Sequence, residues 1–180
     1  MLHYTIDGIY AEIEEAQKNT ISSSRFSVNP HDTDQVDSGG PIGTMTSNEK
    51  DIATQIFSLI EKNEVEDLWN LLRMQLDNDL KLMPLQDSRG HNLLAFCALH
   101  NNYAALKIIY EHSKNLDKST DDSFIELFDW TNQKSQKGLT ALHFASFHGN
   151  IEMIEFLVTD LKADISIIDN QGLNVLHAAA

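Results

Sequence analysis

The side chains with chemical reactivity are eight histidines and a single cysteine. His143 and His148 lie five positions apart, which places them on different sides of a helix, and the sequence has neither Cys-x-x-Cys nor His-Glu-x-x-His. Cys97 and His100 are three positions apart and could form a nucleophile–base pair, but that chemistry also needs an orienting group and an oxyanion donor. The sequence therefore predicts no metal, no cofactor and no independent active site.

Cys97 is better explained as a structural residue. A lone cysteine cannot form an internal disulfide, which fits a reducing compartment. It lies inside the apolar run Leu93–Leu99, which favours a buried thiol. A hydrolase built on Cys97 is the catalytic alternative.

The charge balance restricts the class of partner. The chain has 27 acidic and 13 basic side chains, giving a formal net charge of −14, and such a field repels nucleic acid and anionic membrane surfaces. No apolar run is long enough to span a bilayer, and the N-terminus lacks the pattern of a secretory signal. We expect a cytoplasmic protein that binds another protein, without nucleic acid and without insertion of this segment into a membrane.

Residues 1–47 are predicted to be a disordered acidic tail. Residues 21–47 are mostly small, polar, Gly and Pro residues with little apolar surface to bury. A short helix near residues 5–17 is possible because Ile6, Ile9, Tyr10 and Ile13 share one helical face. It would be either a docking helix or a tail without contacts. Tyr10–Ile13 also fits a Tyr-x-x-aliphatic sorting or phosphotyrosine pattern, which is common by chance.

From Asn48 onward the apolar residues take helical spacing. Two apolar clusters, within 52–60 and 65–72, are separated by Glu61-Lys62-Asn63-Glu64, where Asn63 can adopt the left-handed conformation that ends a helix. The pattern predicts a helical hairpin.

One segment recurs along the chain. Gly138-Leu-Thr-Ala-Leu-His-Phe-Ala is followed by Gly149, and similar segments begin at Gly90 and at Gly172. The chain here resembles the ankyrin repeat, whose pattern is Gly-x-Thr-Pro-Leu-His-x-Ala followed by a glycine and an aliphatic helix. The resemblance implies an all-α solenoid of helix pairs joined by hairpin loops.

The resemblance covers residues 48–180. It implies a degenerate repeat at 51–82, a repeat at 87–134 interrupted by an insertion at 113–129, a repeat at 135–168 and a partial repeat at 169–180. The insertion contains Asp117, Asp121, Asp122 and an apolar group at 124–128, and would be a loop with a short helix on the core or a partner-binding finger. The partial repeat suggests a fragment of a longer array, with more repeats to follow.

The repeat pattern assigns a local role to many residues. Asn92, Thr140 and Asn174 would cap helices, while Asn101 and the glycines would take positive φ at turns. The buried faces are assigned to Leu94, Leu142, Ala145, Ile151, Ile154, Leu157 and Leu176. His143 and His177 stand at the histidine position of the repeat pattern and would bond the cap and a neighbouring loop. Five positions depart from the family pattern: Leu93, Ala141 and Val175 replace proline, Ala95 replaces histidine, and Lys162 replaces glycine.

The family resemblance also implies a binding surface made of the hairpin tips and the inner helix face. We expect Leu99 and Phe147 to be accessible at equivalent positions, each with a histidine beside it. The function expected is a non-catalytic scaffold that binds a protein on its concave face. The alternative is the substrate-recruiting N-terminal region of a larger membrane protein, such as an Asp-His-His-Cys palmitoyltransferase or a channel. The expected partner-binding residues are Arg89, His91, Leu99, His100, Lys137, Leu139, Phe147, His148, Gln171 and Leu173.

Overall fold

The computed structural model describes residues 47–75, 81–116 and 123–179. The tail expected over 1–47 lies outside these residues except for Ser47, and so do the helix expected near 5–17 and the acidic residues Asp117, Asp121 and Asp122. Ser47 is not part of a tail, because it begins the first helix.

The prediction of an all-α fold is confirmed by the described residues. Isolated antiparallel bridges join Gln86 to Asn92 and Ile168 to Asn174 in the hairpin loops. The described helices are α1 Ser47–Glu61, α2 Val65–Met74, α3 Leu93–Leu99, α4 Tyr103–Leu116, α5 Ser123–Thr131, α6 Ala141–His148, α7 Ile151–Thr159 and α8 Val175–Ala178.

The helices form two rows. Helices α1, α3, α6 and α8 pack successively against one another, and we call them the inner row. Helices α2, α4 and α7 follow α1, α3 and α6 in the chain, pack against them, and form the outer row. The hydrophobic core fills the space between the rows, and α3 is buried at every position because it is covered from three sides by α1, α4 and α6.

Caps define where the inner helices begin. The Asn92 side chain accepts a hydrogen bond from the Ala95 N–H at 2.8 Å, and Asn174 accepts from Leu176 at 3.1 Å. Thr140 takes the same position before α6, where its N–H donates to His143 Nδ1 at 3.2 Å. Asn92 and Asn174 are therefore confirmed as side-chain caps, and Thr140 is confirmed as the N-cap residue of α6, with its Oγ1 2.9 Å from His143 Nδ1.

The predicted left-handed turns are also confirmed. Asn63, Asn101 and Gly149 have φ values of 57°, 52° and 64° between the helices of each pair. Lys162, which stands where the family pattern has glycine, has a φ of 57°. Because its Cβ is crowded in this conformation, Lys162 costs the fold roughly 1–2 kcal/mol relative to glycine.

The buried faces were predicted correctly except at two positions. Leu94, Leu142, Ala145 and Leu157 are buried and Ile154 is half-buried, whereas Ile151 is 68% exposed and Leu176 is 73% exposed. Ile151 is the first residue of α7 and lies at the solvent side of the outer row. No described helix packs against the side of α8 that carries Leu176.

The expected insertion contains a short helix, α5. Trp130 and Thr131 near its end are buried, and the Trp130 carbonyl accepts a hydrogen bond from Asn92 Nδ2. Ile125 and Phe128 are exposed on the opposite side. Helix α4 ends at Leu116, five residues longer than its counterpart α7, so part of the extra length relative to the next repeat lies in this helix.

Candidate functional site

The tips of successive hairpins are hydrogen-bonded to one another. The Gln136 N–H donates to the Arg89 carbonyl and the Asn170 N–H donates to the Lys137 carbonyl, each at 3.0 Å. The side chains of Gln136 and Asn170 add bonds to the Ser88 carbonyl at 3.0 Å and the Gln136 carbonyl at 2.8 Å. We call residues 88–89, 136–137 and 170–171, joined in this way, the tip ladder.

Each hairpin is closed by a polar side chain three residues before its glycine. Asp87 Oδ1 accepts hydrogen bonds from the N–H groups of Arg89 at 2.9 Å and His91 at 2.8 Å. Asp169 Oδ1 accepts from Gln171 and Leu173 in the same way, at 2.8 and 2.9 Å. These carboxylates hold the turn, and this role was not recognised from the sequence, although the period of the repeat aligns the two aspartates.

Three of the residues expected to contact a partner are buried. Leu99 is 3% exposed, so the expectation that it is accessible is wrong, and His91 and Leu139 are buried as well. Leu99 is the last residue of a helix covered on three sides, and its carbonyl accepts a hydrogen bond from His148 Nε2 at 3.0 Å. His91 and Leu139 point into the core, where the ring of His91 packs against Phe144 at 5.4 Å.

The other expected residues lie at the surface to differing degrees. Lys137 and Gln171 are exposed, whereas Arg89, His100, Phe147, His148 and Leu173 are half-buried. The tip ladder brings Arg89 and Lys137 together through their backbones, and the bond from His148 to Leu99 joins the end of α6 to the end of α3. These residues form the candidate site, which we call the inner surface: Arg89, His100, Lys137, Phe147, His148, Gln171 and Leu173.

The histidines of the inner row are held by specific contacts. His143 bonds Thr140 Oγ1 at 2.9 Å through Nδ1, and its Nε2 is 3.4 Å from the Leu173 carbonyl. His177 Nδ1 is 2.9 Å from Asn174 Oδ1. The predicted roles of His143 and His177 in bonding the cap are confirmed, as is the contact of His143 with a neighbouring loop.

Burial shapes the electrostatics of the Cys97–His100 region. Burial raises the pKa of the Cys97 thiol, which keeps it protonated and disfavours a nucleophilic role. Burial and then the positive charge of His91 lower the pKa of His100 to about 4; Asp87 opposes this shift, and His148 and Arg89 add to it. His100 also stacks on Phe96, with ring centroids 4.5 Å apart. It is therefore a neutral ring at physiological pH.

A second candidate site lies on the outer row and was not found from the sequence. A recess between α2 and α4 is lined by Val65, Glu66, Trp69, Asn70 and Ile108. Trp69 is 47% exposed there. Sequence periodicity assigned Trp69 to an apolar helix face but could not show that α4 leaves it partly uncovered.

Metal sites and membrane-spanning helices each require a defined arrangement of residues. No group of three or more His, Cys, Asp or Glu side chains within residues 47–75, 81–116 and 123–179 is arranged to hold a metal ion. Over the same part of the chain, no helix has the length and apolar character needed to cross a bilayer.

Comparison with known proteins finds a similar family and a similar fold. Residues 93–158 match a family model described as ankyrin repeats in many copies. The fold is similar to a chain in the crystal structure of the yeast ribosomal protein Rps3 in complex with its chaperone Yar1. The TM-score is 0.61 and the identity is 19%, covering 76% of this chain and 85% of that chain. At this identity the likeness concerns the fold. The search of curated proteins found no match.

Proposed function

We propose that this chain, whose residues 93–158 match a family model of ankyrin repeats, is a non-catalytic module that binds a protein partner on its inner surface, the concave side expected of such an array. The observation that carries the proposal is the tip ladder. It fixes the tips of three successive hairpins relative to one another, and α6 runs from the second tip to the half-buried Phe147 and His148 at its far end. Polar groups held in fixed positions on the same surface as a partly exposed aromatic residue are typical of a recognition surface.

The structural neighbour gives independent support of a general kind. In the crystal structure that contains the similar fold, the chaperone Yar1 is in complex with a protein, Rps3. A fold of this type therefore occurs in a complex with a protein partner, although fold alone does not transfer the partner to this chain.

The test compares the replacement of an aromatic residue on the inner surface with the replacement of one in the outer recess between α2 and α4. Peptides selected from a random displayed library against the full chain provide the ligands, and their affinities are measured by fluorescence anisotropy. Phe147→Ser should raise the Kd by about tenfold or more, since an aromatic near the centre of an interface contributes on the order of 1–2 kcal/mol or more. Trp69→Ser in the outer recess is the matched control and should change the Kd less than about twofold.

The opposite pattern would overturn the proposal. Loss of binding with Trp69→Ser but not with Phe147→Ser would assign the partner to the outer recess. Circular dichroism melting of both variants distinguishes lost contacts from lost folding, because Phe147 also packs on the core. Lys137→Glu, on an exposed tip residue, tests the inner surface without disturbing the core.

A further inference from the structure

The outer recess exposes apolar side chains between α2 and α4. Val65 and Trp69 lie one helical turn apart on α2, and Ile108 lines the recess from α4. Trp69 is 47% exposed, although covering an aromatic ring of this size is favourable. Glu66 and Asn70 complete the lining. The described part of the outer row therefore has an apolar recess that is open to a further element.

One segment outside the described residues has the sequence pattern of a helix that fits such a recess. Ile6, Ile9, Tyr10 and Ile13 have the i, i+3, i+4, i+7 spacing by which amphipathic helices dock in apolar grooves. With about 3.6 residues per turn, the acidic residues of this segment fall at the sides or the back of that predicted face. The apolar face can therefore meet the recess without placing a carboxylate against Glu66.

Other candidate occupants fit the recess less well. Residues 76–80 contain two leucines among Asp and Asn, and residues 117–122 contain no apolar residue. Residues 18–46 have apolar residues at irregular spacing among prolines and glycines. A second copy of the chain is disfavoured because copies with a net charge of −14 repel each other. The sequence therefore favours residues 5–17 of the same chain.

The connection between this segment and the recess has a suitable length. Residues 18–46 are about 30 residues, and a chain of this length and composition has an expected root-mean-square span of about 30 Å. Helix α1 begins at Ser47 and packs against α2, and its length of about 22 Å sets the order of the distance from Ser47 to Trp69. When span and distance match, tethering gives an effective concentration in roughly the millimolar range, so even a weak contact is populated.

We propose that residues 5–17 dock as a helix in the outer recess of the same chain, with their apolar face on Val65, Trp69 and Ile108. The docked segment covers the Trp69 ring and leaves the inner surface free for a partner. This contact does not depend on the function proposed for the inner surface, because the recess lies between helices of the outer row.

Acrylamide quenching of tryptophan fluorescence in the full chain tests the contact. Of the two tryptophans, Trp69 is the accessible one, because Trp130 is 4% exposed. Ile9→Ser combined with Ile13→Ser should raise the quenching constant about twofold or more, since losing two isoleucine contacts weakens docking by about tenfold or more.

A matched control separates the helix face from apolar content alone. Phe26→Ser combined with Val28→Ser removes the same number of apolar side chains from the connecting residues and should leave the quenching constant at its wild-type value. Equal quenching of the wild type and the Ile9/Ile13 variant would overturn the proposal. An equal rise in the Phe26/Val28 control would overturn it as well.

A second measurement uses a change that should strengthen the contact. Gly8 lies on the opposite side of the predicted helix from its apolar face, so Gly8→Ala raises helix propensity without touching the recess. A peptide of residues 1–18 is titrated into the full-length Ile9/Ile13 variant, and the indole N–H resonance of Trp69 reports binding. Gly8→Ala in the peptide should lower the Kd about threefold or more.

Further outcomes identify other occupants or other sites. Peptide binding with the same Kd after Trp69→Ser in the full-length variant would place the segment outside the recess and overturn the proposal. A quenching difference that disappears on dilution would assign the docked segment to a second copy and overturn the contact within one chain. None of these readings involves Phe147 or Lys137, so a failure here leaves the function proposed for the inner surface in place.

Discussion

The inner helices α3 and α6 contain no acidic residue, whereas the outer helices α4 and α7 carry Glu111, Glu152 and Glu155. The inner row is tied by backbone bonds between hairpins, while the outer row is joined by ring contacts, such as that of Tyr110 with Phe156 at 5.3 Å. This difference indicates that the inner helices α3 and α6 and the outer helices α4 and α7 have separate structural roles. Helices α3 and α6 connect the bonded hairpin tips, and helices α4 and α7 pack through aromatic rings and carry acidic groups.

The largest effect should come from a comparison within the inner row. Leu99 and Phe147 are equivalent in the repeat, but Leu99 is almost fully buried and Phe147 is half-buried. Leu99→Ala should lower the free energy of unfolding by about 2–5 kcal/mol, as expected for a cavity in a packed core. Phe147→Ala should cost clearly less, and chemical denaturation of both variants measures the difference. Equal costs would show that Phe147 is a core residue and would remove it from the inner surface.

A smaller effect is expected when the glycine of either of two hairpins in the tip ladder is replaced by alanine. Gly138 and Gly172 have φ values of 83° and 81°, so alanine at either position costs about 1–2 kcal/mol. A Cβ on Gly138 would also lie 2.5 Å from Asn170 Oδ1 and 2.7 Å from Asn170 N, while none of the described atoms lies within 4 Å of one on Gly172. Gly138→Ala should therefore destabilise more, by roughly a further 1 kcal/mol or more, in thermal unfolding. Equal melting midpoints for the two variants would mean that Asn170 shifts to make room for the added Cβ at little cost.

A more gradual effect is expected in the dependence of stability on pH. His100 has a pKa lowered to about 4 by burial and by the charge of His91, so between about pH 6.5 and 4 the unfolded chain binds more protons at this site than the folded chain. Its contribution to stability is complete above pH 6.5 and is lost as the pH falls to 4.

Asp87 acts in the same direction. Burial alone would raise its pKa, but the hydrogen bond and charge of His91, with the backbone N–H groups of His91 and Arg89, outweigh burial and lower the pKa. Its stabilising effect is therefore lost below the ordinary aspartate pKa. Denaturation curves from pH 8 to 3 should show the decline, and His100→Gln should flatten it between about pH 6.5 and 4. An unchanged slope in that variant would place the pH dependence on other groups.

The helices, the caps and the left-handed turns could be predicted from the sequence because they depend on local signals. Asn63 and Gly149 mark turns by their own conformational preferences, and Asn92 marks a helix start by its side-chain oxygen. The period of the repeat then placed Leu94 and Leu142 in the core. A few neighbouring residues in the sequence are enough to determine these features.

The candidate site was predicted less well because exposure depends on neighbours distant in sequence. Leu99 and Phe147 have the same position in the repeat, but α3 lies between the longer helices α1 and α6, whereas α6 has on one side α8, which is only four residues long. Periodicity does not show this difference in neighbours. Leu139 was assigned to a tip because it follows a hairpin glycine, although its side chain turns into the core. The recess beside Trp69 depends on how closely α2 and α4 approach, which the sequence does not encode locally.

The tip ladder separates the residues that hold the scaffold from those that can vary. At Arg89 and Lys137 the ladder uses the main-chain carbonyl, so it does not depend on which side chain either position carries. Other side chains at these positions would leave the ladder bonds in place, which suits laboratory diversification. A library randomised at positions 89, 137 and 171, with Gln136 and Asn170 left unchanged, would keep the alignment of the hairpins while presenting new combinations of side chains. The bonds between tips thus make this face a surface on which new specificities can arise without refolding the protein.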